Sequence, residues 1–574
     1  MTNLFGFDIT QLDVPWFLNV CRVGFVVLAL LAAARATRTR DDRRTGWIVL
    51  TVALCGHALA WFASMYPLPG VYGSNASMDR ENHLGWANVM AAGFSPLRTF
   101  QVHHLHFEPL WPLLMAIASG FEVDRVALVF QWAPLVVGVA LVVAIRFAWV
   151  RGGVSATAPE TTAAFAALGA LLLLAVPGDA SGPFRNPWAL TFLLKPNHAL
   201  GLVLTPLAAL ALARATTWKS RLFAGFVLQT VGWAFVIHMA FIVAGLMVFV
   251  FLSWITKRAE RRRDALDVVT AVGANLAIVS PYLVMLIVAY PFLQGSDAYR
   301  LSFFSERPLE GPLRLGLLFL LSAFGAWQTY KNGSRLGRIL ATQWLGAQLI
   351  WQGLPLLGFF GHAREQDEAL YWCRFWTGLF AGTGGFTLAR SVLTPLRDVR
   401  GRTALLSSPA ASALILLLPS LVPAWWDPLR MDQYFVAGRA PLPDWIAEPT
   451  RFIRGRTDKN AVFVGDRDYA RWIAAYGARR VLLSDSLNLP NDFRRRREIE
   501  AAALGDGNPE LLREGRERYS LQYVLVTSTP LPFAPAVTLA HIERLPHLKV
   551  IYDGAFADRR VLIFEIVPPG LGRP

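Results

Sequence analysis

Long apolar runs separated by short polar loops set the plan of this chain. Apolar segments fall near 15–35, 46–66, 126–149, 160–177, 199–214, 222–237, 240–256, 267–291, 312–329, 339–360, 373–394 and 403–424. Many of them approach or exceed the roughly 18–20 residues that cross a hydrocarbon core. The pattern predicts a polytopic α-helical membrane protein with about 12 transmembrane helices, the stretch 222–256 giving two short ones. From residue 425 onward the pattern changes. "AVFVGDRDYARWIAAYGARRVLLSD" (461–485) reads as strand, amphipathic helix, strand, and "LQYVLVTS" (521–528), "LKVIYDG" (548–554) and "DRRVLIFEIV" (558–567) read as further strands. Helical stretches near 490–516 and 536–545 lie between them. Alternating strands and helices predict a small α/β domain over 425–574, following a membrane domain over 1–424.

The polar loops divide into two kinds. "RATRTRDDRR" (35–44), "RFAWVRGG" (146–153), "TTWKSR" (216–221), "KRAERRRD" (257–264), "KNGSRLGR" (331–338) and "RDVRGR" (397–402) are short and basic, and all fall on one side when crossings are counted. The positive-inside rule makes that side cytoplasmic and places the N-terminus and the 425–574 domain outside a cytoplasmic membrane. The first apolar run lacks a basic start and a clear small-residue cleavage site, so it is expected to remain as a helix. The outer loops, 67–125, 178–198, 292–311 and 361–372, are longer. They hold His83, His103, His104, His106, His198 and His362, six of the ten histidines, whereas the basic loops hold none. Chemistry is therefore expected on the outer side.

Within 67–125, "NHLGWANVMAAGF" (82–94) has helical spacing and "PLWPLLMAIASG" (109–120) is apolar but too short to span, so both are expected as helices along the membrane surface. Ahead of and between them stand "MDREN" (78–82) and "HFEPLWP" (106–112), and further on "KPNHALGL" (195–202). With these motifs and the tail, the chain resembles the GT-C class of integral-membrane glycosyltransferases, which includes protein O-mannosyltransferases, lipid A aminoarabinose transferases and arabinofuranosyltransferases. Many relatives carry a tandem acidic pair and a second motif closer to His-Pro-Pro-Leu. Here Arg80 splits the acids and Glu108-Pro109-Leu110 occupies the second motif, so the resemblance reaches the class and not a subfamily.

The resemblance implies transfer of a sugar from a polyprenyl-monophosphate donor in the bilayer to an acceptor glycan, lipid or protein, by inverting displacement. Such a reaction needs a base for the acceptor proton and cations for the departing phosphate. Asp79 is the leading base, with Arg80 keeping the acids ionised and in contact with substrate. As an alternative, Asp79 caps the helix that follows. Glu81 positions the acceptor or joins Asp79 on a divalent cation, and Glu108 is a further catalytic candidate. Lys195 and His198, at the outer start of a helix, are candidates for the donor phosphate, as are Arg364 and Arg374 in "HAREQDEALYWCRF" (362–375). Lys195 has the alternative of snorkelling to the interface, and Arg374 that of an ion pair with a preceding acid. His104, His106, Glu365 and Asp367 are substrate-binding candidates. The spacing of His103, His104 and His106 matches no known zinc signature.

Other features narrow the field. The net charge of +15 is largely in the basic loops, and no nucleic-acid recognition motif accompanies it. Cys21, Cys55 and Cys373 form no CxxC pair. "GDRD" (465–468) follows a strand and precedes a helix, which favours capping over metal binding, and "GLFAGTGG" (378–385) fits close helix packing better than phosphate binding. His238, inside an apolar segment, is expected as a helix contact. The rival readings are a transporter or lipid flippase, a glycan polymerase or ligase using diphosphate-linked donors, and a non-catalytic assembly protein. A transporter would place ionisable groups along helix interiors, where this chain has few.

Overall fold

The computed structural model describes residues 3–4, 7–8, 24, 27–28, 31, 71–72, 75–93, 109–154, 157–174, 196–289, 316–349, 364–393, 440–441, 443–465, 467–483, 493–505, 507–528, 539–557 and 559–567. They fall into two compact units, one within 1–64, 133–281 and 297–435, the other within 65–132, 282–296 and 436–574.

The first unit is helical. Its described helices are the C-terminal part of α3 (Val123–Arg146), continued by a π-helical turn (Phe147–Arg151), then α4 (Ala158–Leu174), α5 (Pro196–Ala213), α6 (Trp218–Ala234), α7 (Val236–Ile255), α8 (Arg261–Ala289), α9 (Leu317–Asn332), α10 (Arg335–Gln348) and α11 (Arg364–Leu393). Two more helices, α1 (Asn75–Ala91) and α2 (Leu110–Ala118), belong to the second unit. Nine of the apolar segments thus coincide with helices. The segments 15–35, 46–66 and 403–424 lie outside the described residues, apart from a few isolated positions in the first. The stretches His238–Ile255 and Arg261–Pro281 are long and apolar enough to cross a bilayer. A single extended residue, Phe235, separates α6 from α7, as the expected division of 222–256 requires.

Small residues allow these helices to approach closely. Gly382 backs onto Ala163 and Ala164 of α4, and Gly384 onto the Leu321 carbonyl of α9, so any side chain there would meet backbone. "GLFAGTGG" is therefore a helix-packing seam. On the outside of the bundle stand Val136, Val143, Leu320, Phe251 and Trp327, all mostly exposed. A soluble protein seldom leaves so much large apolar surface uncovered.

Four of the six basic loops meet at one end of this unit. Asp264 and Asp267, in the first two turns of α8, are fully buried there. Arg335 donates to Asp264 at 3.1 Å through Nε and to Asp267 through Nη2, while Arg221 donates to Asp267 at 2.6 Å. Ser253 donates to the second oxygen of Asp264 at 3.2 Å. Arg335 also reaches the carbonyls of Leu212, Ala213 and Ala215, at and just beyond the C-terminus of α5. Arg338 pairs with Glu260 at 3.0 Å, and Ser334 donates to the Gly152 carbonyl at 2.8 Å. Thr217 and Ser220 form a capping box that starts α6 at the same end, and Ser334 caps α10. The basic stretches 146–153, 216–221, 257–264 and 331–338 thus converge on one another within this unit.

Four short strands, β1 (Asn3–Leu4), β2 (Phe7–Asp8), β3 (Val71–Tyr72) and β4 (Ala440–Pro441), precede a five-stranded mixed sheet in the tail, whose second strand in the chain lies at one edge and whose fourth lies at the other. Its strands are β5 (Val462–Gly465), β6 (Arg480–Val481), β7 (Leu521–Thr527), β8 (Leu548–Ala555) and β9 (Arg560–Ile566). Strands β6, β5 and β7 run parallel, and β9 is antiparallel to both β7 and β8. Helices α12 (Asp444–Arg456), α13 (Arg467–Ala475), α14 (Phe493–Leu504), α15 (Pro509–Tyr519) and the short α16 (Leu539–Ile542) connect them. Alternate positions Val462, Val464, Val524, Val526, Leu562 and Phe564 make one core with Ile499 and Ala503 of α14. Phe463 and Tyr523, on the opposite face, stack at 5.0 Å. Gly465 ends β5 with φ +138 and lies against the Leu525 backbone, and Arg467 already opens α13.

Candidate functional site

The stretch carrying Asp79, Arg80 and Glu81 is helical. Helix α1 begins at Asn75, so Asp79 lies in its second turn and is not the cap of a helix starting at residue 82. The later half of α1 is not laid on a membrane surface either. His83, Leu84, Ala87, Asn88, Val89, Met90 and Ala91 are all buried, packed between α2 and α13. Gly85 lacks a side chain, which lets α13 come close: a Cβ on Gly85 would stand 3.0 Å from that of Ala474. Asn88 Nδ2 donates to the Ala475 carbonyl at 2.7 Å. Helix α2 is buried on one side and apolar on the other. Trp111 and Met115 face inward, while Leu114 and Ile117, with Phe121 just beyond, form an exposed apolar stripe.

Two further links tie this loop to the tail within the same unit. Val71 and Tyr72 of β3 (Val71–Tyr72) pair antiparallel with β4 (Ala440–Pro441), and Arg454 of α12 pairs with Asp124 at 2.8 Å.

The helix register separates the two acids. At 100° per residue, position 81 shares a stripe with Gly85 and Asn88, the face docked on α13. Position 79 lies half a turn round from Asn88, on the opposite face. Two positions two residues apart do not face one another, so α1 by itself does not offer Asp79 and Glu81 as a chelating pair. Among the described residues, no group of three or more His, Cys, Asp or Glu gathers as a metal site.

The phosphate candidates belong to the first unit. His198 is the third residue of α5, whose first residue is Pro196. A proline at that point suits a helix start, where its missing N–H costs nothing and the following amides are free to meet an anion. One turn further along, Gly201 is covered by the imidazole of His238, a fully buried residue in the first turn of α7 that lies edge-on to Phe235 at 4.8 Å. His238 is thus a helix contact as expected, but its partner is the turn that carries His198. Nothing in the sequence singles out that partner, since Gly201 has no side chain to mark it.

Arg364, Glu365, Asp367 and Arg374 also lie on a helix. The sequence places 361–372 in a loop, whereas α11 runs unbroken from Arg364 to Leu393. No proline interrupts the chain between Arg364 and Thr394, and Glu365, Asp367 and Glu368 favour the positive end of the helix dipole. Arg364 therefore stands at the helix start, and Asp367 and Arg374 are two turns apart on it. His103, His104, His106, Glu108 and Lys195 lie outside the described residues.

No protein-family model and no curated protein sequence matches the chain. Among solved structures it is similar to the archaeal oligosaccharyltransferase AglB from Archaeoglobus fulgidus in complex with an inhibitory peptide and a dolichol-phosphate. The TM-score is 0.46 at 13% identity, covering 93% of this chain and 73% of that chain. The apo form of the Archaeoglobus fulgidus oligosaccharyltransferase aligns with a TM-score of 0.46 and 12% identity over 92% of this chain and 73% of that one. Its complex with Zn and sulfate gives 0.46 and 13% over 91% and 74%.

Proposed function

We propose that this chain is a multi-pass membrane glycosyltransferase with about 12 crossings, acting on the outer face of the cytoplasmic membrane. It transfers a sugar from a polyprenyl-monophosphate donor to an acceptor hydroxyl or amine on a glycan, lipid or protein. Asp79 takes the acceptor proton as the acceptor atom attacks the anomeric carbon. The bond from that carbon to the phosphate oxygen breaks, and its electron pair leaves with the polyprenyl phosphate. Arg80 beside it favours the ionised carboxylate that a base needs. His198, at the start of α5, and Lys195 next to it meet the phosphate, as do Arg364 and Arg374. Glu365, Asp367, His104 and His106 meet the sugar or the acceptor. Glu81 and Glu108 support the acceptor side, and a divalent cation is not needed for the step as written.

The observation that carries this reading is the setting of Asp79. Position 79 lies in the second turn of a helix whose later half is built into the core of the tail unit, half a turn round from Asn88 on the face docked to α13. A base must be held in place yet left free to meet its proton donor. The test is Asp79→Asn, assayed in liposomes against a panel of polyprenyl-phosphate sugars. The expected result is a loss of about 10²–10⁴-fold in kcat, with donor binding and thermal midpoint unchanged. Wild-type turnover in that variant would overturn the assignment.

A further inference from the structure

The long apolar seam between α1 and α13 joins residues that are far apart in the chain, and its polar content is small. Asn88 is 3% exposed, and its amide donates across the seam to the backbone carbonyl of Ala475, 387 residues away. Gly85, one turn earlier, sets the spacing, because its Cα hydrogen faces the Ala474 methyl. Between them these two residues fix both the depth and the rotation of α1 on the tail. Glu81 is one turn from Gly85, and Asp79 is nine residues, about 13 Å, from Asn88 along the same helix. A helix of this length behaves as a stiff rod, so a tilt or rotation at the seam is passed on to the acidic turn.

We infer that Asn88 and Gly85, together with Ala474 and Ala475 of α13, are positioning residues for the acidic turn: the tail domain works as the seat that aims Asp79. This rests on the reading of Asp79 as the base. It assigns to the 425–574 region a direct role in turnover, exerted through the seam and without any contact of its own with the reacting atoms. Position 79 is half a turn round from Asn88, so α13 holds the helix from the side opposite that position.

The experiment uses full-length enzyme in liposomes. Asn88→Asp keeps the shape of the side chain but turns its donor into an acceptor opposite the Ala475 carbonyl. A shift of about 1 Å at a reacting group can cost about 10²-fold. A fall of that order in kcat is expected for N88D, with donor affinity unchanged and the residual rate retaining its dependence on Asp79. Should a buried aspartate there prevent folding, a second pair gives the answer. Gly85→Ala adds a methyl 3.0 Å from the Ala474 methyl, which pushes the helices apart by a few tenths of an ångström. The Ala474→Gly change removes the opposing group. G85A is expected to lower kcat, and G85A/A474G to restore it, with A474G alone near wild type.

Folded N88D with wild-type kcat overturns the inference, as does a loss in G85A that A474G leaves unchanged. Asp79→Asn, run alongside, separates the two levels. An active D79N removes the base assignment itself, whereas an inactive D79N beside an active N88D removes only the seat.

Discussion

Replacing Arg335 tests how the basic end of the helical unit is held together. Its guanidinium touches both buried carboxylates, Asp264 and Asp267, and three carbonyls at the end of α5. In Arg335→Met the apolar stem is kept and every one of these contacts is lost. Asp267 retains Arg221 at 2.6 Å and, more distantly, Arg263 at 3.7 Å. Asp264 retains only the Ser253 hydroxyl at 3.2 Å among the contacts described. Removing one partner of a buried pair typically costs about 3–5 kcal/mol, because the remaining charge stays buried. The upper part of that range applies here, since a single arginine serves two acids. The assay is thermal unfolding of the detergent-solubilised chain followed by tryptophan fluorescence, with the folded fraction checked by size-exclusion chromatography. R335M is expected to unfold at a markedly lower temperature. The triple variant D264N/D267N/R335M, which removes the uncompensated charges with the cation, is expected to recover most of the loss. An R335M midpoint equal to wild type would refute the reasoning, and a triple variant no better than R335M would show that the lost carbonyl contacts, not the orphaned charges, carry the cost.

Three further outcomes follow from other parts of the molecule. Gly384→Leu is expected to leave little folded protein, because its side chain would overlap the Leu321 backbone of α9; a normal size-exclusion profile would contradict the packing. In the tail, the Arg560 guanidinium hydrogen-bonds Asp553 and holds its carboxyl below the usual range. That contribution is complete above the ordinary aspartate value of about 3.9 and is lost as pH falls through the lower folded value, so the Asp553→Asn midpoint should fall less steeply below pH about 4 than wild type. Equal slopes would show that the pair is idle. Arg479 donates to the carbonyls of Arg454 and Thr457 at 2.9 Å each and thereby closes the C-terminus of α12, so Arg479→Met should cost roughly 1–3 kcal/mol of stability through carbonyls left buried without partners; an unchanged unfolding midpoint would count against it.

Much of this architecture is legible in the sequence because the signals are local. Hydropathy marks nine helices, and the strands VFV, LQYVLVT and VLIFEI announce themselves by runs of β-branched and aromatic residues. The strand-to-helix turn at Gly465 is equally local. The candidate site is less legible, since its decisive contacts are distant. The turn 75–82 is polar and lacks a clear apolar period, and its helix is held by packing of residues 83–91 between α2 and α13, with Gly85 and Asn88 against Ala474 and Ala475. The charge-rich stretch 364–372 resembles a loop in composition, yet acids at a helix N-terminus are compatible with the helix dipole. His238 and Gly201 form a pair that a glycine cannot advertise.

The α1–α13 seam also sets a schedule. At about 5–20 residues per second, the ribosome needs roughly 20–80 s after Asn88 to produce Ala475, its partner 387 residues later. Until then the helix bearing Asp79 has α2 but no α13 to pack against, and its seam face, with Gly85 and the buried Asn88, must wait uncovered or be sheltered by other parts of the chain. A chain truncated between residues 425 and 466 would keep every apolar segment and every motif residue from Asp79 to Arg374, and still lack α13, the surface on which the acidic helix finishes folding.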